Sequence, residues 1–323
     1  SKKKYYFDNK VLKLKKYRGK AFIKILGIPI RVSKKYYSSV YGPTLKNKTG
    51  FFSVRTGSLF KVRALEQWWK MNKATSFDEF YSILEMNEIP GYNIGYADKD
   101  DNIFYISNGL IPIRNDKFKW TGVLPGNTSE TLWTDYYNTR ELPQVLNPDS
   151  GYIYNANHSP FKSTSIDENP NPQNFASNMG FETFDNNRST RIFELIESRR
   201  SIDYEMFKEI KYDNKFPTPF NYNFMDVNNI MEMKPTDYPD VADLIKQIQN
   251  WDRSTDVGST GAGAYAMFYY TLADKYFYQS YYDRNFSKSL IADCLIEVKK
   301  RMKKYFNSTL IKLGDFQKLV RGE

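Results

Sequence analysis

The stretch at 141–161, E-L-P-Q-V-L-N-P-D-S-G-Y-I-Y-N-A-N-H-S-P-F, constrains the fold more than any other part of the chain. Pro143 and Pro148 lack the N–H that a helix ladder needs, so a helix cannot run through it. The pattern predicts an extended loop with one short strand at 152–155. Asn157 then stands where the chain turns again, beside His158, the only histidine. A short apolar strand that delivers one amide to a loop is a way of holding a hydrogen-bond donor still. From residue types alone, a turn-rich surface loop explains the same stretch.

Composition removes several chemistries. One cysteine, Cys294, leaves no internal disulfide and no Cys-rich zinc site, and one histidine leaves no multi-His site. Any metal would rest on carboxylates. No apolar run reaches the ~18 residues of a spanning helix. The opening Ser1-Lys2-Lys3-Lys4 is followed by polar residues and does not predict a signal peptide. A hydrophobic content of 41% over 323 residues suffices for a core. The net charge of +10 admits nucleic acid, an anionic membrane surface or an acidic glycan as partner, and equally a solvated basic face. Part of that excess is local, with Lys13, Lys15, Lys16, Arg18 and Lys20 near the start.

Along the chain, residues 19–32 with Pro29 predict extended structure, Tyr41-Gly42-Pro43 a turn, and 50–55 a second strand. Leu59, Val62, Leu65 and Trp69 recur at three- and four-residue spacing, which predicts a helix over 58–71 capped by Ser58. Ser76 with Glu79 three residues on forms a capping box for a helix over 77–86, ended by Pro90-Gly91. Residues 92–107 read as a hairpin closed by Lys99-Asp100-Asp101-Asn102. Asp98, Asp100 and Asp101 imitate part of a calcium loop but lack its glycine and distal glutamate, so a plain turn is expected. Residues 163–178 are polar and read as a loop. Helices follow at 188–200, after Ser201 as a cap with Met206, Phe207 and Ile210, from Asp240 to Ile248, at 264–278, and at 288–306 with a basic face. Gly258, Gly261 and Gly263 lack a G-K-[ST] continuation and a preceding strand, so they predict a helix-entry loop, not a phosphate cradle.

The pattern E-L-P-Q-V-x-N-P-x-S-G-Y-I-x-x-A-N resembles the core segment of the penicillin acylase family, which includes acyl-homoserine-lactone and cyclic-lipopeptide acylases. Other segments resemble the family in the same order. Asn93, Tyr96, Ala97, Asp98, Asn102 and Ile103 match its N-x-x-Y-A-D-x-x-G-N-I, with Asp101 where Gly is usual. G-L-I-P-I-R at 109–114, Pro125-Gly126 before Trp133, Trp251-Asp252 and 313–322 also correspond. Tyr41 stands where the family usually has His.

The resemblance implies an α+β fold, the N-terminal-nucleophile αββα four-layer sandwich. It is expected here incomplete, as a single domain over 1–323 that is strand-rich to 160 and mostly helical beyond. It implies amide hydrolysis through an acyl-enzyme on an N-terminal Ser, Thr or Cys, acting on a penicillin, an N-acyl-homoserine lactone or an acylated lipopeptide. Asn157 would complete the oxyanion hole and Arg188 would orient it. Tyr92, Asn93 and His158 would contact substrate. No cofactor is implied. The family often binds a structural calcium, whose ligands are not identifiable in this sequence. Ser1 is not expected to be the nucleophile, because Lys2, Lys3 and Lys4 would follow it into a core. The chain is therefore expected to be an internal fragment of the large subunit, inactive alone. Its partners would be the small subunit and both missing ends of the large one, a small acyl amide as substrate, and no nucleic acid. The resemblance also implies autoproteolytic processing and export to the periplasm or beyond. A Ser-His-Asp triad on His158 lacks a G-x-S-x-G elbow. A catalytically silent protein that binds glycans or anions through its aromatic, basic surface is the alternative.

Overall fold

The computed structural model describes residues 3–59, 61–220, 226–276 and 285–321. The chain divides into two units, Ser1–Asn155 with Ser159–Thr183, and Ala156–His158 with Phe184–Glu323. All nine strands among the described residues lie in the first.

That first unit opens with a hairpin of β1 (Lys4–Phe7) and β2 (Lys10–Lys13). A long antiparallel ribbon follows, β3 (Lys15–Ile25) with β4 (Ile28–Ser39), extended as the sequence predicts. Short strands β5 (Gly42–Lys46) and β6 (Phe51–Ser53) continue this sheet in the order β3-β4-β5-β6. Helix α1 (Ala64–Met71) begins later than the apolar spacing predicts. Ser58 does not cap it: it lies in a turn at 57–59, and its carbonyl accepts from the Lys61 N–H. Phe60 lies outside the described residues. The expected apolar stripe is also not the buried side. Val62, Leu65 and Trp69 are exposed, and Gln67 is buried instead. Its Oε1 accepts from the N–H groups of Glu88 (2.7 Å) and Ile89 (3.0 Å), and its Nε2 donates to the Leu84 carbonyl. One amide satisfies three backbone groups at and just past the end of the next helix, and this decides the helix orientation against the spacing of the leucines.

Helix α2 (Phe77–Leu84) starts where its cap predicts. Ser76 Oγ accepts from the Glu79 N–H. Glu79 reaches back to Thr75, one residue before the position a capping box requires. Phe80 and Leu84 pack with Phe104 and Ile106 in a core that also holds Leu142 and Met179. Those two aromatic and aliphatic residues belong to β8 (Ile103–Gly109), which pairs with β7 (Gly91–Ala97) as the predicted hairpin. Asp98 Oδ1 closes its turn by accepting from the Asp100 and Asn102 N–H groups, which is the plain turn expected of this acid cluster. The third strand of the sheet, β9, is Gln144–Leu146, with Ile106 opposite Gln144 and Phe104 opposite Leu146. The strand expected at 152–155 is not a ladder strand. That segment runs extended, held by Tyr154 N–H to the Ser163 carbonyl (2.8 Å) and Thr164 Oγ1 to the Tyr152 carbonyl (2.8 Å).

The second unit is helical. α3 (Asn187–Glu197) and α4 (Tyr204–Tyr212) come first. Asp203, not Ser201, caps α4, accepting from the Met206 N–H at 2.8 Å. α5 (Ala242–Gln249) begins after a single turn of 3-10 helix at Pro239–Val241. α6 (Thr260–Tyr276), α7 (Lys288–Phe306) and the short α8 (Leu313–Phe316) complete it. Residues 277 and 278 of the predicted helix lie outside the described residues. Leu244 and Ile248 of α5, Phe268 and Leu272 of α6, and Leu295 and Met302 of α7 form its core. The glycines expected in an entry loop lie partly inside α6. A Cβ on Gly261 would strike the Trp251 side chain, and one on Gly263 the Ile311 carbonyl. Close approach, not loop flexibility, requires them. Among the described residues, no helix is long and apolar enough to cross a membrane.

Candidate active site

The loop that most constrains the sequence is anchored at its start by Asn147, whose Oδ1 accepts from the Ile103 N–H at 2.8 Å. After the extended run to Asn155 the backbone turns sharply. Asn157 has φ of 56°, in the left-handed region where Asn is among the few residues tolerated. His158 supports this turn from within: its Nδ1 accepts the Ala156 N–H at 3.1 Å. The ring is 3% exposed. His158 is thus buried, and its Nδ1 serves the loop's own backbone.

The opening of α3 completes the arrangement. Asn186 is its N-cap, and Asn186 Oδ1 accepts from the Ser189 N–H at 3.0 Å. Its Nδ2 donates to the carbonyls of Ala156 (2.9 Å) and Asn157 (3.2 Å). One side chain therefore both starts the helix and clamps the turn. Arg188, in the first turn of α3, donates from Nη2 to Asn157 Oδ1 at 3.1 Å. A guanidinium has donors only, so the amide atom facing it must be oxygen. The Asn157 Nδ2 is thereby turned to the opposite side of its amide plane. Asn157 and Arg188 are both exposed. The positive end of the α3 dipole and the guanidinium both favour negative charge near this amide. Polarised through its oxygen, the amide becomes a stronger N–H donor. A cation in the first turn of a helix is unfavourable against the dipole, and the bond to Asn157 supplies its physical reason.

In the first unit, Asn93 on β7 is bonded at both ends of its amide. Its Oδ1 accepts from Ser107 Oγ (2.9 Å), and its Nδ2 donates to Asn155 Oδ1 (3.3 Å), two residues before Asn157 in the chain. Tyr92 is largely exposed, with its ring edge-on to Trp68 of α1 at 5.6 Å. The sequence brought Asn157 and Arg188 forward but missed Asn186, Ser107 and Trp68. Asn186 carried a usable signal, an Asn three residues before Ser189. Trp68 carried none, since the apolar spacing points to its neighbour Trp69.

Other groups are less suited to chemistry. Cys294 is buried on α7, and burial pushes its thiol up to about 12, so it is no thiolate nucleophile at neutral pH. Among the described residues, no group of three or more His, Cys, Asp or Glu side chains could hold a metal ion. In the turn at 98–101, Asp98 Oδ1 is engaged with the backbone N–H groups of Asp100 and Asn102, and Asp100 pairs with Lys99 Nζ. Ser1 and residues 322–323 lie outside the described residues.

The penicillin amidase family profile matches residues 1–310. The chain belongs to the penicillin amidase family. Over 182 residues it is 26% identical to an acyl-homoserine lactone acylase of Pseudomonas fluorescens, covering 48% of this chain and 23% of that protein. Over 130 residues it is 29% identical to the penicillin G acylase of Escherichia coli, covering 39% of this chain and 15% of that one. Among solved structures, a thermostable penicillin G acylase from Alcaligenes faecalis superposes with a TM-score of 0.64 at 14% identity, over 94% of this chain and 63% of that chain. This chain thus has the α+β N-terminal-nucleophile fold that the resemblance implies. It spans less than two thirds of the length of each relative.

Proposed function

We propose that this chain supplies the oxyanion side of an amide hydrolase, with Asn157 as the side-chain donor and Arg188 as the residue that positions it. The observation that carries this reading is the 3.1 Å bond from Arg188 Nη2 to Asn157 Oδ1, at a turn clamped by Asn186. The nucleophile, a Ser, Thr or Cys with a free α-amine, would come from polypeptide beyond these 323 residues. Its hydroxyl or thiol attacks the substrate carbonyl while the α-amine takes the proton. The carbonyl oxygen becomes an oxyanion, and Asn157 Nδ2 with a backbone N–H holds it. Collapse expels the amine, which receives the proton, and leaves an acyl-enzyme. Water then repeats the attack and releases the acid.

The substrate class is a linear non-peptide amide, such as a penicillin, an N-acyl-homoserine lactone or an acylated lipopeptide. By the family resemblance Tyr92 would meet the acyl group; within the first unit its exposed ring packs edge-on against Trp68. Family membership supports the same wider picture: a precursor processed into small and large subunits, and export from the cytoplasm. The test is release of free acid by the full-length protein from a panel of acyl amides and acyl lactones, with Asn157→Gly alongside. No release from any substrate, together with salt-sensitive retention on an anionic column, would favour the silent anion-binding protein instead. Release that Asn157→Gly leaves intact would keep the amidase and remove the proposed donor.

A further inference from the structure

The β3–β4 ribbon is unlike the rest of the sheet structure. No acidic residue occurs between Asp8 and Glu66, so its cations have no local carboxylate. Successive side chains on a strand alternate between faces, and near the tip the register puts the aliphatic residues together. Ala21 lies opposite Val32, Ile23 opposite Ile30, and Ile25 opposite Ile28, all on one face. Lys20, Lys24 and Arg31 lie on the other, with the exposed Phe22 opposite Arg31, followed toward the base by Arg18, Lys16 and Lys35; on the aliphatic face the base carries Lys34, opposite Gly19, and Lys15. Crowding shows in Lys16, whose ammonium is pulled below its usual range, chiefly by Lys35 and then Lys3. A ribbon with one aliphatic face ordinarily buries it against a core, yet Ile23, Ile25, Ile28 and Ile30 are all exposed.

The tip adds an independent observation. Leu26 and Gly27 form its two-residue turn with φ of 50° and 81°. Such a turn favours Asn before Gly, and a left-handed backbone costs a leucine about 1–2 kcal/mol. Leu26 recovers none of this by packing, because it is 98% exposed. Neither turn geometry nor core packing accounts for a leucine there.

We propose that the ribbon is an interfacial anchor that docks the protein on an anionic lipid surface. The aliphatic face and Leu26 enter the acyl boundary, to the ~5–10 Å depth of amphipathic surface elements. Lys20, Lys24 and Arg31 extend their heads back to the phosphates, and Tyr17 and Tyr36 sit at headgroup level. Nucleic acid or an anionic glycan would use the cations alone and leave the aliphatic face and Leu26 in water. A second ribbon paired edge to edge would set cation rows side by side.

Sedimentation of the full-length protein with phosphatidylcholine vesicles, with and without phosphatidylglycerol, tests this. Binding is expected only with the anionic lipid. Lys20→Gln, Lys24→Gln and Arg31→Gln together should weaken it by about 100-fold at low salt. Ile25→Ser, Leu26→Asn and Ile28→Ser together should weaken it by at least about tenfold, with unchanged circular dichroism. Three results would overturn the proposal. One is absence of binding to the anionic vesicles. Another is undiminished binding by the tip variant, which would mark a polyanion surface. The third is a wild-type dimer that the tip variant converts to monomer. Vesicle binding is read without hydrolysis, so this proposal and the amidase reading fail separately.

Discussion

Leu26 and Asn157 hold nearly the same unfavourable backbone, with φ of 50° and 56°, in opposite surroundings. Asn157 is the residue type that suits the conformation, and its turn is held by Asn186, by His158 from within and by Arg188 on its amide oxygen. Leu26 is the wrong residue type for a left-handed turn and stands in solvent beyond the last rung of its ladder. In one place the surroundings over-determine a strained residue and aim its side chain. In the other, strain is accepted so that an apolar side chain is displayed. Backbone strain of this kind is a starting point for a hypothesis of function where turn or cap geometry does not explain it.

The largest effect that could break this contrast is at Asn157. Glycine accepts a positive φ without strain, so Asn157→Gly should fold normally while kcat falls by ~10²–10³, about 2.7–4 kcal/mol of transition-state stabilisation. Steady-state kinetics and a thermal melt on the full-length protein separate the two, and a rate within tenfold of wild type would refute the donor role. Arg188→Ala removes a charged hydrogen bond worth about 1.5–3 kcal/mol, so kcat/KM should drop ~10–100-fold. Arg188→Lys should restore part of it, since the charge remains but the planar fork does not. A residue that served only the fold would show no such graded rescue.

Asn186 has two functions that chemistry can divide. Asn186→Ala should lower stability by about 1 kcal/mol through loss of the cap and lower the rate as the turn loosens. Asn186→Asp keeps the capping oxygen and loses the Nδ2 donor, so stability should return while the rate does not. If both return together, the clamp on 156–157 is irrelevant to activity. The smallest effect is expected at the ribbon. Leu26→Asn should raise the unfolding free energy by up to about 1 kcal/mol and leave hydrolysis unchanged. A lower melting temperature would mean that Leu26 packs, and the contrast with Asn157 would collapse.

Local features were legible in the sequence because their partners lie within a few residues. The Ser76 cap of α2, the 92–107 hairpin with its Asp98 turn, and α7 at 288–306 all follow from such short-range chemistry. Where several residues compete locally, the reading slipped by a turn or less, as with Ser201 against Asp203 at the start of α4.

By itself the sequence determined which chemistry the chain can offer: the motif at 141–161 with Asn157, the arginine at the head of α3, one cysteine and one histidine, and a basic first quarter. The tertiary structure decided how those residues are used. It placed the ladder strand at Gln144–Leu146 and not at 152–155, because pairing with β8 depends on residues some 40 positions away. It buried Gln67 in place of the apolar stripe of α1, and it spent His158 on a backbone N–H. It also brought Asn186 and Arg188 to Asn157 across about 30 residues. Hydrogen-bond partners at that separation leave no periodic trace in a sequence, since only the folded backbone sets which groups meet and which must be satisfied.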